Sequence, residues 1–302
     1  MPDILIVGPG AMGRLHAAML ARAGTDVALL DHRPDRAARL AAEGIVLRTD
    51  SGDERITVPC SASPEDFAPA RFIAFFTKAY ATEQAARFVL AATGADSVWV
   101  TLQNGLGSVD ALRRVSGDVP ILAGVTASGA HVLPDDAVRV VAVLPATFGP
   151  LPPATDALAR AFAEVLIPAG LPCEVVADPW PAIWRKLIIN AAINPIAALT
   201  GRPNGDLIEV PWLRRLSAAV AREVHAVALA RGIDLAGDDP VALVEWACTV
   251  TATNHCSMLQ DFEAGRPTEI DQLNGAVVAL APPSTPAPLC AALATLVKCA
   301  AQ

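Results

Sequence analysis

The chain has 302 residues, 53% of them hydrophobic, and a formal net charge of −8, enough length for two domains with a core each. The acidic balance, with no Lys/Arg-rich run, argues against nucleic-acid binding, and no run of about 18 apolar residues free of Asn, Pro or charge argues for a membrane span. Six cysteines (Cys60, Cys173, Cys248, Cys256, Cys290 and Cys299) form no CxxC or Cys/His pattern, so no metal site is expected and the thiols read as reduced.

The start, Met1-Pro2-Asp3, has no basic run before a long apolar stretch, so a cytoplasmic protein is expected. Ile4-Leu5-Ile6-Val7 reads as a buried strand. Gly8-Pro9-Gly10-Ala11-Met12-Gly13 follows at once, then a helical pattern over 15–23, and a second strand over 27–30 closing at Asp31. This is a G-x-G-x-x-G in strand–turn–helix context, with an acid after the next strand. Gly8 suits the tight turn, Gly10 a close approach to a pyrophosphate, and Gly13 the packing of helix on strand. The helix start, at Ala11 and Met12, offers free N–H groups to phosphate. Asp31 is placed to accept from the ribose hydroxyls of NAD, whereas Arg33 and Arg36 could pair with the 2′-phosphate of NADP, so the residues are divided on cofactor.

Further strands are expected at 45–48, 56–58, 72–77, 98–102 and 121–125, with helices at 36–42, 81–92 and 108–114. Their alternation predicts a doubly wound parallel sheet, whose ligands sit past the carboxyl ends of the strands. Lys78 and Asn104 fall at two such ends and are candidates for the cofactor site. Residues 126–149 turn β-rich, with 138–144 the clearest strand, and read as an antiparallel extension of that sheet. A helix at 156–169 and a strand at 173–176 close a dinucleotide-binding domain of residues 1–177. Residues 178–302 form an all-helical domain, giving an α/β chain with an N-terminal Rossmann-type sheet and an all-α C-terminal half.

That second half opens with a nearly apolar helix over 183–199. Lys186, Asn190 and Asn194 fall at i, i+4 and i+8 and form one polar stripe. A buried stripe of one amine and two amides needs hydrogen-bond partners, from the protein or from a ligand. A turn at 201–206, helices at 212–231 and 240–262, a loop at 263–268, and a last helix at 287–299 follow. Asn254 and Ser257 would share one face of the 240–262 helix.

These segments together resemble the ketopantoate reductase (2-dehydropantoate 2-reductase) family. The resemblance rests on the glycine motif, Thr77-Lys78-Ala79, Gln103-Asn104-Gly105-Leu106-Gly107, Trp184-Arg185-Lys186-Leu187, Asn190, Asn194-Pro195 and Arg202-Pro203-Asn204-Gly205. It continues through Ser257-Met258-Leu259-Gln260-Asp261 and Thr268-Glu269-Ile270-Asp271 to Asn274-Gly275. It implies reduction of a 2-keto acid with NADPH on the route to pantothenate, with Lys186 as general acid and Glu269 as a second essential polar residue. It also implies that Asn190, Asn194, Asn204 and Ser257 hold the substrate and that Asn104 lies by the nicotinamide ribose. An ammonium near the ketone oxygen fits the charge that hydride addition creates. NADP is the cofactor expected, with NAD admitted by Asp31. The expected partner is a small keto acid, with neither nucleic acid nor membrane, and a homodimer is compatible with this reading. The competing readings are an NAD-dependent D-2-hydroxyacid dehydrogenase of the same superfamily and a non-catalytic dinucleotide sensor. Retention of Lys186, Glu269 and the asparagine set weighs against the sensor.

Overall fold

The computed structural model describes residues 2–301. The chain divides into two compact units, residues 1–103 with 108–179, and residues 104–107 with 180–302.

The first unit opens with β1 (Ile4–Val7), α1 (Ala11–Arg22), β2 (Val27–Leu30) and α2 (Pro34–Glu43). Both strands are buried at every position, as continuous apolar runs in a sheet covered on both faces must be. Next come β3 (Ile45–Thr49), β4 (Gly52–Ile56), β5 (Cys60–Ser61), β6 (Ala70–Phe75), α3 (Thr82–Phe88) and β7 (Thr93–Thr101). α4 (Ser108–Ser116), β8 (Ile121–Thr126), β9 (Gly129–Val132), β10 (Val138–Ala142), β11 (Ala146–Leu151), α5 (Asp156–Leu166) and β12 (Cys173–Val175) complete the unit.

Eight strands form one sheet in the order β12-β11-β8-β7-β6-β1-β2-β5. Neighbours from β5 to β8 run parallel, and β11 lies antiparallel on β8. β2 and β6 flank β1 on opposite sides, so the winding reverses there. Sheets of this kind bind ligands past the strand ends at that reversal. It is also where β1 runs into Gly8.

The sequence pattern places 138–144 in the main sheet; the structure does not. β10 joins a separate four-stranded sheet in the order β4-β3-β10-β9. It pairs parallel with β3, buried Val138 lying opposite buried Leu47, and antiparallel with β9 as a hairpin. The antiparallel extension of the main sheet is β11. The strand expected at 56–58 ends at Ile56, because β4 pairs back on β3 as a hairpin.

The second unit is helical: α6 (Trp180–Thr200), α7 (Asp206–Glu209), α8 (Pro211–Ala230), α9 (Pro240–Val250), α10 (Ser257–Glu263), α11 (Ala276–Leu280) and α12 (Pro288–Ala300). α6 is its axis, packed by α8, α9, α10 and α12 and buried from Ile183 to Ala198 on most faces. No described helix is long and apolar enough to cross a membrane.

The single helix expected over 240–262 is broken into α9 and α10. Thr251, Thr253 and Asn254 are weak helix formers. Thr251 Oγ1 turns back on the Ala247 carbonyl at 2.6 Å, and the carbonyls of Ala252 and Asn254 accept from Gly205 and Asn204. Asn254 therefore lies in a turn, and it does not share a helix face with Ser257.

Candidate active site

In the first unit the chain leaves β1 through Gly8 at φ 101°, a conformation that favours glycine. A Cβ on Gly8 would lie 2.9 Å from the Thr77 nitrogen, and one on Gly13 would overlap the Gly8 carbonyl oxygen. Gly10 is different. The nearest atom to a Cβ there is 4.0 Å away, so no internal contact demands glycine. A ligand approaching the backbone closely would demand it. Gly10 caps α1 without a side-chain cap, Ala11 and Met12 begin the helix, and its first turn holds no acid. The helix start thus keeps free N–H groups and a positive dipole end for an anion. These features fit the pyrophosphate of a dinucleotide.

Asp31 follows β2 and is fully buried. Arg36 grips it from α2, Nη2 donating to Oδ1 at 2.8 Å and Nε to Oδ2. The Arg33 backbone N–H donates to Oδ1 at 3.1 Å, while the exposed Arg33 side chain pairs with Asp35 at 2.6 Å. Arg36 rather than Arg33 is therefore the cation on Asp31. Lys78, half-buried, follows β6 and starts a short turn over Ala79–Ala81, its carbonyl accepting from Ala81 at 2.9 Å. Gln103, to which sequence reasoning gave no role, fixes that segment. Its amide donates to the Thr77 carbonyl at 2.7 Å and to Thr82 Oγ1 at 2.9 Å. The signal was a buried amide at a strand's carboxyl end. His16 lies behind the glycine turn, bonded to the Met12 carbonyl at 2.8 Å, with its ring 4.4 Å from that of Phe76. Loss of water pushes its pKa down to about 4, so the ring is neutral.

In the second unit, α6 carries Lys186, Asn190 and Asn194 as one stripe, with both asparagines buried. Lys186 is half-buried and enters no hydrogen bond or ion pair among the described residues. Loss of water alone holds its pKa below the ordinary lysine value, and no ion pair joins it to Glu269. Pro195 lacks the N–H that would bond the Ala191 carbonyl, and the Asn274 amide takes that carbonyl at 3.1 Å. Asn274 belongs to a π-helical turn over Asp271–Gly275. The Gln272 carbonyl in that turn accepts the Leu106 N–H at 2.8 Å and so seats residues 104–107 in this unit. Asn104, on that loop, accepts from the Asn190 amide at 3.3 Å.

The remaining predicted residues lie outside α6: Asn204 in the turn before α7, Ser257 at the start of α10 and Glu269 ahead of the π-helical turn. Cys256 donates its thiol to the Asn194 carbonyl at 3.7 Å, which brings exposed Ser257, the first residue of α10, beside the stripe's far end. Asn204 is buried, its amide donating to Thr251 Oγ1 at 2.8 Å and its Oδ1 left without a partner. Asn274 Oδ1 and Gln272 Oε1 are likewise unpartnered. Glu269 is buried and leads into the π-helical turn, its carbonyl accepting from Gln272 and Leu273. The unit thus holds an ammonium without a partner, suited to a carboxylate or carbonyl oxygen, and several amide oxygens without partners, which can accept only from donors such as hydroxyls.

Two family profiles, both described as ketopantoate reductase PanE/ApbA, match residues 4–153 and, for the C-terminal part, 178–301. A 2-dehydropantoate 2-reductase of Archaeoglobus fulgidus is 36% identical over 277 residues, covering 91% of this chain and 89% of that protein. The crystal structure of a PanE/ApbA family ketopantoate reductase from Ralstonia eutropha superposes with a TM-score of 0.89 at 29% identity, over 99% of this chain and 98% of the other. D-mandelate dehydrogenase with NADH and anilino(oxo)acetate shares the fold, with a TM-score of 0.92 at 24% identity over 99% and 97% of the two chains. With both halves matched and the glycine turn and α6 stripe in place, the chain belongs to the ketopantoate reductase family.

Proposed function

We propose that this oxidoreductase reduces the ketone of 2-dehydropantoate to pantoate, with Lys186 as general acid. The observation that carries the reading is Lys186 itself: an ammonium without a partner, set in a stripe of buried amides on the most enclosed helix of its unit. A bound reduced nicotinamide supplies a hydride to the ketone carbon. Lys186 stabilises the negative charge growing on the ketone oxygen and gives it a proton. Its lowered pKa brings that proton closer to release at working pH. Asn190, Asn194, Asn204 and Ser257 hold the carboxylate and hydroxyl of the substrate, and buried Glu269 completes the polar set. Gly8, Gly10, Ala11, Met12 and Gly13 would hold the pyrophosphate, with Lys78 and Asn104 towards the nicotinamide half.

The cofactor we assign is NADPH. Arg36 neutralises Asp31, which removes the charge that would repel a 2′-phosphate. Arg33 is exposed and can exchange Asp35 for that phosphate. The test is a panel of 2-keto acids, including 2-dehydropantoate and phenylglyoxylate, with each reduced dinucleotide. Preferred turnover of 2-dehydropantoate with NADPH is expected. Preferred turnover of an aromatic keto acid with NADH would replace this assignment by a D-2-hydroxyacid dehydrogenase.

A further inference from the structure

The loop between β9 and β10 ends in Asp136, the one described non-glycine residue with positive φ, at 67°. Leu133 accepts from Asp136 and donates to Ala137, so residues 134–136 form a three-residue hairpin loop whose last position is left-handed. Glycine is the residue that position favours. Here an aspartate occupies it, and its carboxylate faces two arginines. Arg14 Nη1 donates to Asp136 Oδ1 at 2.8 Å and to the Asp136 carbonyl at 3.1 Å, and Arg39 donates to Oδ2. Burial alone would raise the Asp136 carboxyl; the bonds from Arg39 and Arg14 outweigh it and hold the group ionised.

Arg14 is only 3% exposed, and it sits in the first turn of α1 directly after the glycine motif. Its Nε donates to the Pro9 carbonyl at 2.8 Å. The Pro9–Gly10 peptide is trans, so its N–H points opposite to that carbonyl, away from Arg14. The Gly10 N–H has no acceptor among the described residues. Arg39 lies on α2, the helix that also carries Arg36.

We propose that Asp136 is a positioning residue for cofactor binding: through Arg14 it locks the Pro9–Gly10 peptide with its N–H turned to the dinucleotide pyrophosphate. Through Arg39 it ties the same hairpin to the helix at the adenosine end. Neither Asp136 nor Arg14 touches the cofactor. The proposal rests on the dinucleotide reading of the glycine turn.

The test measures equilibrium binding of NADPH and NADH to the full chain as wild type, Asp136→Asn and Asp136→Gly, beside thermal midpoints and steady-state kinetics. Asparagine tolerates the left-handed backbone and removes the charge; glycine relieves the backbone and removes the whole side chain. Both variants are expected to weaken dinucleotide binding roughly tenfold, the scale of a lost charge-assisted hydrogen bond. Turnover at saturating cofactor and the KM for the keto acid should stay near wild type. Both variants leave the buried Arg14 without its carboxylate and should lower the thermal midpoint; a merely structural role would lower turnover and the keto-acid KM along with dinucleotide binding, whereas a positioning role moves dinucleotide binding alone. Arg14→Lys, which keeps the charge but not the Nε bond to Pro9, should match the Asp136 variants. Variants that bind both dinucleotides within about twofold of wild type would overturn the proposal while leaving the cofactor reading intact. Wild type that binds neither dinucleotide would overturn both.

Discussion

The two units treat their buried polar groups in opposite ways. In the first, nearly every one is bonded to another part of the same unit: Asp31 to Arg36, Arg14 to Pro9 and Asp136, Gln103 to Thr77 and Thr82. Apart from Ser108 Oγ, what this unit leaves open is backbone, the N–H groups at Gly10 and the start of α1. In the second, side chains are left open: the Lys186 ammonium and the oxygens of Asn204, Asn274 and Gln272. Under the proposed function the difference follows from the ligands. A pyrophosphate is held by a preformed backbone cradle, so side chains serve to stiffen that cradle. A small keto acid whose charge changes during reaction needs side chains kept free for it, at the cost of unpaired polar groups in the free protein.

The largest expected effect breaks the second unit's side of this contrast. Lys186→Ala should fold, bind dinucleotide as wild type does, and lose about 10²- to 10⁴-fold in turnover, the usual size of general acid help. Lys186→Met should also raise the urea midpoint, because it removes a desolvated ammonium that has no partner. A variant equally inactive but less stable than wild type would mean that Lys186 serves packing.

His16 tests the first unit. Its folded pKa, about 4, lies below the ordinary 6.5, so between these values the unfolded chain binds the proton and the folded chain does not. The stability from burying a neutral ring is complete above pH 6.5 and is lost as pH falls towards 4, by up to about 3 kcal/mol. Urea unfolding at several pH values should show that slope and should show it flattened in His16→Gln. An unchanged slope would place the titrating group elsewhere.

Asn204→Ala and Asn190→Ala should raise the KM for the keto acid by roughly ten- to a hundredfold, as hydrogen bonds to a charged ligand do, with cofactor KM unchanged. A keto-acid KM at the wild-type value in both variants would remove these amides from the substrate site. The smallest effect expected is on cofactor choice. Arg33→Ala should raise the KM for NADPH about fivefold and leave that for NADH near wild type, while Arg36→Ala should weaken NADPH alone by uncovering the Asp31 charge against its 2′-phosphate. Equal changes for both cofactors in Arg33→Ala would mean that Arg33 does not read the 2′ position.

Much of this was legible because it is local. The Gly8–Gly13 turn is set by adjacent residues and a following helix, and the Lys186–Asn190–Asn194 stripe follows from helical spacing alone. The second sheet was not legible: β3 and β10 pair across some ninety positions of chain, and the residues that decide it, Leu47 and Val138, look like any strand residues. The helix break at 251–256 was hidden by a run that stays compatible with a helix until the 204–205 loop claims its carbonyls. The same applies to Arg36. Sequence put Arg33 and Arg36 side by side, and only the geometry of α2 shows which one reaches Asp31.

The claim at the centre is that Lys186 is held without a partner in order to give a proton to substrate, and the pH dependence of kcat at saturating substrate and cofactor tests it most directly. Wild-type kcat should be level at low pH and fall with rising pH through one ionisation below the ordinary lysine value of 10.5, and Lys186→Ala should be slow and without that ionisation. A fall of the same shape and midpoint in the variant would show that another group gives the proton.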